Sequence, residues 1–154
     1  MKRSLTLFFV LLLAVSACKL RNGGEAADPR EQYVGSYAGG YQAVIKIGSS
    51  ELDPESGNVT INVAKGANPK EISLQMVFGQ VTETMTAELN GADFTIIDKK
   101  QDRFTVNNTT IEGQYTASGK FVSNNKEIVI QTQAGAIRGG VQYVKSGSIT
   151  GTRK

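Results

Sequence analysis

The sequence predicts an all-β fold: an antiparallel up-and-down meander of about eight to ten strands that closes into a barrel. After residue 33, apolar residues alternate with polar or small ones, which is the period of a strand and not of a helix. Turn-forming residues separate the alternating segments. No long amphipathic helical pattern follows the first 18 residues, so no crossover helix is expected.

A barrel is the form that such a meander favours. Strands that are joined mainly by hairpins leave two exposed sheet edges unless the first and last strands pair. Closure into a ring removes both edges. A two-sheet β-sandwich is the alternative architecture.

The first strands are predicted from alternation alone. They lie near Gly35–Ile47, 58–64 and Glu71–Phe78. The apolar positions that share one face in the second and third segments are Val59, Ile61, Val63, Ile72, Leu74, Met76 and Phe78.

Asn90-Gly91 predicts the next hairpin, because both central positions of a type I′ turn take positive φ. Folding the chain there places Glu88 opposite Asp93, a like-charge pair that should be solvated. The apolar pairs expected on the other face are Leu89 with Ala92, Ala87 with Phe94, and Met85 with Ile96.

Two Asn-Asn pairs predict further turns, because Asn tolerates a left-handed backbone better than most residues. The strand between them, 109–123, should pair with both neighbours if it bends at Gly113 or Gly119. A final strand covers 141–152. The cross-strand pairs expected around Asn107-Asn108 and Asn124-Asn125 are Phe104 with Ile111, Arg103 with Glu112, Phe121 with Ile128, and Lys120 with Val129.

The two ends of this region resemble the small calycin- or lipocalin-like domains of bacterial lipoproteins. The supporting residues are Tyr33-Val34-Gly35-Ser36-Tyr37 at the start and Ser146-Gly147-Ser148-Ile149-Thr150-Gly151-Thr152 at the close. The resemblance implies a barrel domain over 33–154 that binds a ligand in its interior.

The N-terminus predicts an export signal. Lys2 and Arg3 precede an apolar run over 5–15, and small residues follow. Such a run rises only about 16 Å as a helix, against a hydrocarbon core of roughly 30 Å, so a permanent transmembrane span is the weaker reading.

The last residues of this signal, Val15-Ser16-Ala17-Cys18, resemble the lipobox of bacterial lipoproteins. The resemblance implies cleavage after residue 17 and acyl chains such as palmitate on Cys18. Residues 18–32 are then the lipidated cysteine and a flexible tether. In these lipoproteins Asp directly after the cysteine favours retention in the inner membrane, so Lys19 favours the outer membrane. The periplasmic and the surface side both stay open.

Composition excludes several functions. Of 17 basic residues, Lys2 and Arg3 lie in the signal, which leaves 15 against 14 acidic residues, so nucleic acid is not expected as a partner. The chain has no histidine and one cysteine, which removes His-dependent nucleophile systems and His-rich zinc sites. We therefore expect a protein that is not an enzyme and that has no cofactor and no metal.

The expected function is binding of a small apolar or amphipathic ligand inside the barrel. The rival interpretation is a module that grips an envelope protein or a glycan, with a solid barrel as scaffold. Tyr37 and Tyr41 are interpreted either as ligand contacts or as rings packed in the core. The candidate ligand-binding residues are Tyr37, Tyr41, Met85, Phe94 and Phe104.

Overall fold

The computed structural model describes residues 27–154, so the predicted signal and Cys18 lie outside the described residues. Residues 27–154 form β-strands and no helix, and therefore no helix there has the length and hydropathy to span a bilayer. The strands are β1 (Gly35–Ile47), β2 (Ser50–Glu51), β3 (Glu55–Lys65), β4 (Glu71–Phe78), β5 (Val81–Asn90), β6 (Asp93–Ile96), β7 (Gln101–Val106), β8 (Thr109–Val122), β9 (Glu127–Arg138) and β10 (Val141–Arg153).

The strands form one closed antiparallel barrel. The order around the wall is β10-β9-β8-β6-β5-β4-β3-β1, and β10 pairs with β1 to close the ring. The short β2 adds to β1, and β7 adds to β8. The predicted barrel is confirmed. The sandwich alternative is wrong, because the first and last long strands pair from Tyr37 with Arg153 to Ile47 with Tyr143.

The two Asn-Asn turns confirm the predicted register. Phe104 faces Ile111, and the Arg103 guanidinium lies 2.9 Å from the Glu112 carboxylate. Both residues of Asn107-Asn108 have positive φ, as a type I′ turn requires. The second turn is longer, with positive φ from Ser123 to Asn125, but its strands keep the predicted pairs.

The predicted register at Asn90-Gly91 is wrong by two positions. Asn90 pairs with Asp93, so the two central residues are Gly91 and Ala92. Within this turn only Gly91 has positive φ, at 65°, which matches a type II′ turn with glycine first. An even shift keeps each residue on its predicted face, and Met85, Ala87, Phe94 and Ile96 are buried together.

The same correction changes two neighbours. Ala92 lies exposed in the turn and does not face Leu89, which pairs with Phe94. Glu88 pairs with Thr95, so the expected like-charge pair with Asp93 does not form.

Aromatic residues fill one end of the barrel, which we call the closed end. Tyr33 stacks on Phe121 with ring centroids 4.4 Å apart, and Phe94 lies 5.3 Å from the same ring. The Tyr37 hydroxyl is buried, 2.9 Å from the Tyr33 carbonyl and 3.2 Å from the Asn125 carbonyl. This end of the barrel is solid.

Residues 27–33 lie against the closed end. The Arg30 guanidinium donates to the backbone carbonyls of Gly66, Asn68 and Glu71. It also pairs with Asp28 at 2.7 Å. The segment is thereby joined to the turn between β3 and β4.

Candidate functional site

The opposite end of the barrel, which we call the open end, contains the connections over 48–54, 79–80, 97–100, 107–108 and 139–140. Three large apolar residues of the described chain are exposed, and all lie near these connections: Val81, Ile137 and Val141.

A level of small side chains crosses four neighbouring strands below the open end. Ala117 of β8 faces Thr132 of β9, which faces Gly147 of β10, which in turn faces Ala43 of β1. A Cβ atom at Gly147 would lie 2.6 Å from the Thr132 hydroxyl, so a larger residue there would require the Thr132 side chain to move. Because these side chains are short, they do not fill the interior of the barrel at this level.

A cavity of about 300 Å³ lies at this level. Its apolar lining residues include Tyr41, Met76, Phe78 and Ile149, and the Tyr41 and Phe78 rings meet edge to face at 5.2 Å. The volume is at the lower end of the roughly 300–1,000 Å³ that is typical of small-molecule sites.

Charged side chains also line the cavity. The Lys99 ammonium lies 2.8 Å from Asp102 and 3.2 Å from Glu83, and 4.5 Å from the centre of the Tyr115 ring. Burial alone would lower the pKa of Lys99, but the two carboxylates outweigh it and the pKa is raised. Lys99 therefore stays charged and cross-links β5, β7 and β8. Among residues 27–154, no group of three or more acidic, Cys or His side chains is placed to hold a metal ion.

Tyr115 has a buried hydroxyl with a weak partner. The residue is 7% exposed, and its hydroxyl lies 3.9 Å from the Met85 sulfur, which is a poor acceptor. Burial raises the pKa of Tyr115, and the charges of Asp102 and Glu83 raise it further. The phenol is thus a donor at any ordinary pH.

Lys145 points inward on β10, two strands away from Tyr115. Ala134 of β9 stands between them, because it faces both residues in register. The Lys145 ammonium lies 3.3 Å from Glu55, its one ion-pair partner in the described chain. Tyr115, Ala134 and Lys145 form the level directly beside the small-residue level.

The structure brings some predicted ligand residues to this cavity and leaves others elsewhere. Tyr41 lines the cavity. Met85 does not line it, but its sulfur contacts the hydroxyl of Tyr115, which does. Tyr37 and Phe94 are buried at the closed end, and Phe104 is buried against β8. The role of all five residues in ligand binding stays a prediction.

Sequence reasoning missed Tyr115, Thr132, Lys145 and Lys99. A signal for the cavity is the high share of small residues in 116–119, 132–136 and 146–148. Its meaning depends on the register between strands that are distant in sequence.

A second concavity, of about 960 Å³, lies on the outer face of the wall and carries mostly uncharged polar side chains. Gln131 donates to the Ser148 hydroxyl at 3.1 Å in its centre. One row in register across six strands consists of Thr95, Ser118, Gln131, Ser148, Gln42 and Ser56.

The fold and site define a small closed β-barrel with a cavity at one end that is lined by apolar and charged side chains. No family model and no curated protein matches the sequence. Solved structures are similar to it at low identity. A mutant of transferrin binding protein B from Haemophilus parasuis is 16% identical with a TM-score of 0.46, and the match covers 79% of this chain and 27% of that chain.

Two further structures are similar. Transferrin binding protein B from serogroup B Neisseria meningitidis is 17% identical with a TM-score of 0.47, over 83% of this chain and 26% of that chain. A protein with unknown function from the DUF3598 family of Nostoc punctiforme is 12% identical with a TM-score of 0.48, over 80% and 48%. The chain spans less than half of the length of each of these proteins.

Proposed function

We propose that this protein is a non-enzymatic, lipid-anchored protein of the bacterial envelope that binds a small apolar or amphipathic ligand at the open end of its barrel. The observation that carries the proposal is the cavity of about 300 Å³. It is lined by both apolar and charged side chains, which suits an amphipathic molecule.

The absence of an enzymatic role is part of the proposal. In the cavity lining, the Lys99 ammonium forms ion pairs with both the Glu83 and the Asp102 carboxylates. The chain offers no histidine for a nucleophile–base pair. The supported role is therefore binding without chemical change.

The anchor is proposed from the sequence resemblance at Cys18. A cysteine that carries thioether-linked and amide-linked acyl chains would hold the domain at a membrane, and Lys19 favours the outer membrane. Replacement of Cys18 by Ser should abolish incorporation of labelled palmitate and move the protein out of the membrane fraction. Retention of the label would contradict the anchor.

Ligand binding is tested by filling the cavity. Ala43→Leu adds three heavy atoms to the small-residue level, whereas Ala64→Leu makes the same change at an exposed position of β3. Native mass spectrometry of protein from its own host should show a co-purifying small molecule in the wild type and in Ala64→Leu, but not in Ala43→Leu. Wild-type protein that is always empty would defeat the proposal.

The outer concavity favours a second candidate function, a glycan-interaction module. Amide and hydroxyl groups both donate and accept hydrogen bonds, and this matches a neutral sugar chain. In that case the barrel is a scaffold and the cavity is incidental.

A glycan array with neutral and acidic glycans separates the two candidates. Under the second candidate, the double variant Gln131→Ala, Gln133→Ala should lose binding to neutral glycans. Gln75→Ala, an exposed glutamine of β4, should keep it. Equal binding by both variants would exclude the outer face as the site.

A further inference from the structure

The barrel wall is unpaired along one stretch between β5 and β7. β5 pairs with β6 over 87–90, whereas its residues 81–85 pair with β4 alone. In the described chain, β7 pairs only with β8. Among residues 27–154, each of the two strands therefore has one stretch of backbone edge with no neighbouring strand.

Backbone alternation identifies the groups of β7 that point into this gap. Successive residues of an antiparallel strand direct their N–H and C=O groups to opposite sides. The Tyr115 N–H donates to the Lys100 carbonyl at 2.8 Å, so the even-numbered residues of β7 face β8. The odd-numbered residues, Gln101, Arg103 and Thr105, direct their backbone groups away from β8 and into the gap.

The β5 edge loses its partner at Thr86. Ile97 donates its N–H to the Thr86 carbonyl at 3.0 Å, and the Asp98 carboxylate accepts the Thr86 N–H at 2.8 Å. By the same alternation, Thr84 and Thr82 direct their N–H and C=O groups to this side. No strand of the described chain lies there to receive them.

A cleft of about 720 Å³, which we call the side cleft, lies between the two edges. It is lined by residues of β5, β7, β8 and the connection 97–100. The Lys99 ammonium bridges Glu83 of β5 and Asp102 of β7, at 3.2 and 2.8 Å. These three side chains also line the cavity, so they lie between the cavity and the side cleft. Side chains, and not backbone hydrogen bonds, close the wall here.

An open strand edge matches one class of partner, an extended polypeptide. The free N–H and C=O groups recur at every second residue, about 6.6 Å apart, and a strand presents complementary groups at that spacing. The stretch 101–105 is about 17 Å long, close to the length of a typical strand. Four carboxylates and three basic groups line the cleft, a net charge of 3 − 4 = −1, so charge selects little.

A second copy of this chain does not suit the edge. Two β7 strands would pair antiparallel around a two-fold axis perpendicular to the barrel wall. The closed ends of the two barrels would then point in opposite directions. Two copies that are anchored in one membrane through Cys18, as proposed above, cannot take this arrangement. The edge therefore favours a segment of a different protein.

We propose that the β7 edge is a docking site for an extended segment of another envelope protein. The segment adds antiparallel to β7, which is the more stable pairing. It exchanges backbone hydrogen bonds with Gln101, Arg103 and Thr105. The site does not require an occupied cavity, so it stands or falls independently of the proposed ligand binding.

The test uses a fluorescein-labelled hexapeptide with the sequence of 109–114, Thr-Thr-Ile-Glu-Gly-Gln, which β7 already accepts on its other edge. Binding to the full-length protein is followed by fluorescence anisotropy. Two further peptides carry N-methyl groups on alternate residues, and at least one of them should bind about tenfold more weakly because it has lost its donors. Hydrogen exchange should slow in β7 on binding and stay unchanged in β4.

Proline variants identify the edge. Arg103→Pro removes an N–H that faces away from β8, so the pairing of β7 with β8 stays intact. It should weaken peptide binding at least about tenfold. Arg103→Ala is the matched control, because it loses the same ion pair with Glu112 but keeps the N–H. It should bind like the wild type.

Thr105→Pro, with Thr105→Ala as its control, repeats the test at the next edge residue. Circular dichroism identifies the variants that are folded, and the alternately methylated peptides test the wild type without any substitution.

Three results would overturn the inference. The unmethylated peptide fails to bind at millimolar concentration, so the edge is not a docking site. Arg103→Pro and Arg103→Ala bind the peptide equally, so it binds elsewhere. The wild type forms a dimer that Arg103→Pro abolishes, so the edge belongs to a second copy.

Discussion

Side-chain size decides where the barrel is solid and where it is open. At the closed end, the rings of Tyr33, Phe94 and Phe121 occupy the interior. Nearer the open end, β8 and β10 present Ala117 and Gly147 instead. A large ring at such positions would fill the space that we assign to a ligand.

Tyr37→Phe is expected to destabilise the closed end. The hydroxyl proton is shared between the carbonyls of Tyr33 and Asn125, and its loss leaves buried acceptors with fewer partners. The free energy of unfolding should fall by about 1–2 kcal/mol in urea titrations. Tyr143→Phe is the control, because Tyr143 is only half-buried and its hydroxyl makes no hydrogen bond in the described chain. A similar loss in both variants would contradict this account.

Asp28 should make stability depend on pH in the acid range. Its hydrogen bonds with Arg30 hold the pKa of the Asp28 carboxyl well below its usual value, and Lys65 lowers it further. A lowered pKa stabilises the folded state above the unfolded value of about 3.9, and that contribution is lost as the pH falls below it. The difference in unfolding free energy between wild type and Asp28→Asn should therefore shrink from pH 6 to pH 2. A difference that is constant over this range would count against the ion pair.

At the scale of the strand, the turns were the most predictable features. Asn107-Asn108 fixed the pairing of Phe104 with Ile111, because a two-residue turn leaves little freedom of register. The register predicted from Asn90-Gly91 is wrong by two positions. Only Gly91 of this pair takes positive φ, and the turn starts one residue later than predicted. The predicted side of the sheet is still correct for each residue, because the register shift is even.

The cavity could not be predicted in the same way. Ala43 and Gly147 lie side by side only because β1 pairs with β10, and no local pattern sets that register. The predicted ligand residues were large and apolar, and Tyr37 and Phe94 instead fill the core. Small residues create the space inside a barrel. Choosing large apolar residues as candidate ligand contacts therefore does not identify the cavity.

Gly119→Ala tests the packing of β8. A Cβ atom at Gly119 would lie 2.4 Å from the Phe94 ring and 2.5 Å from the Val129 carbonyl. Since backbone atoms have to move, thermal unfolding should show a loss of about 1–3 kcal/mol. At Gly135, the nearest atom to a new Cβ is 3.7 Å away, so Gly135→Ala should change stability little. Equal losses at the two glycines would show that the close approach is absent in solution.

At the scale of the whole molecule, closure leaves the eight wall strands paired on both sides. The short β2 pairs only with β1, and β7 pairs only with β8. The unfolding of such a ring should be cooperative, because its first and last strands support each other.

Hydrogen exchange with mass spectrometry can check this closure. Amides of β1 and β10 should be protected as strongly as those of β4 and β9, because β1 and β10 pair with each other along their length. Peptides that cover β2 and β7 should exchange faster. Rapid exchange in both β1 and β10 would indicate an open sheet with frayed edges.

The position of residues 27–33 on the barrel has a consequence for the route by which a ligand would reach the cavity. Arg30 fastens this segment to the turn between β3 and β4, at the far side from the cavity mouth. If Cys18 is acylated as proposed, the membrane anchor joins the barrel at the closed end. The open end then faces the aqueous compartment. Cargo would then be exchanged through water and not by sliding directly out of the lipid leaflet.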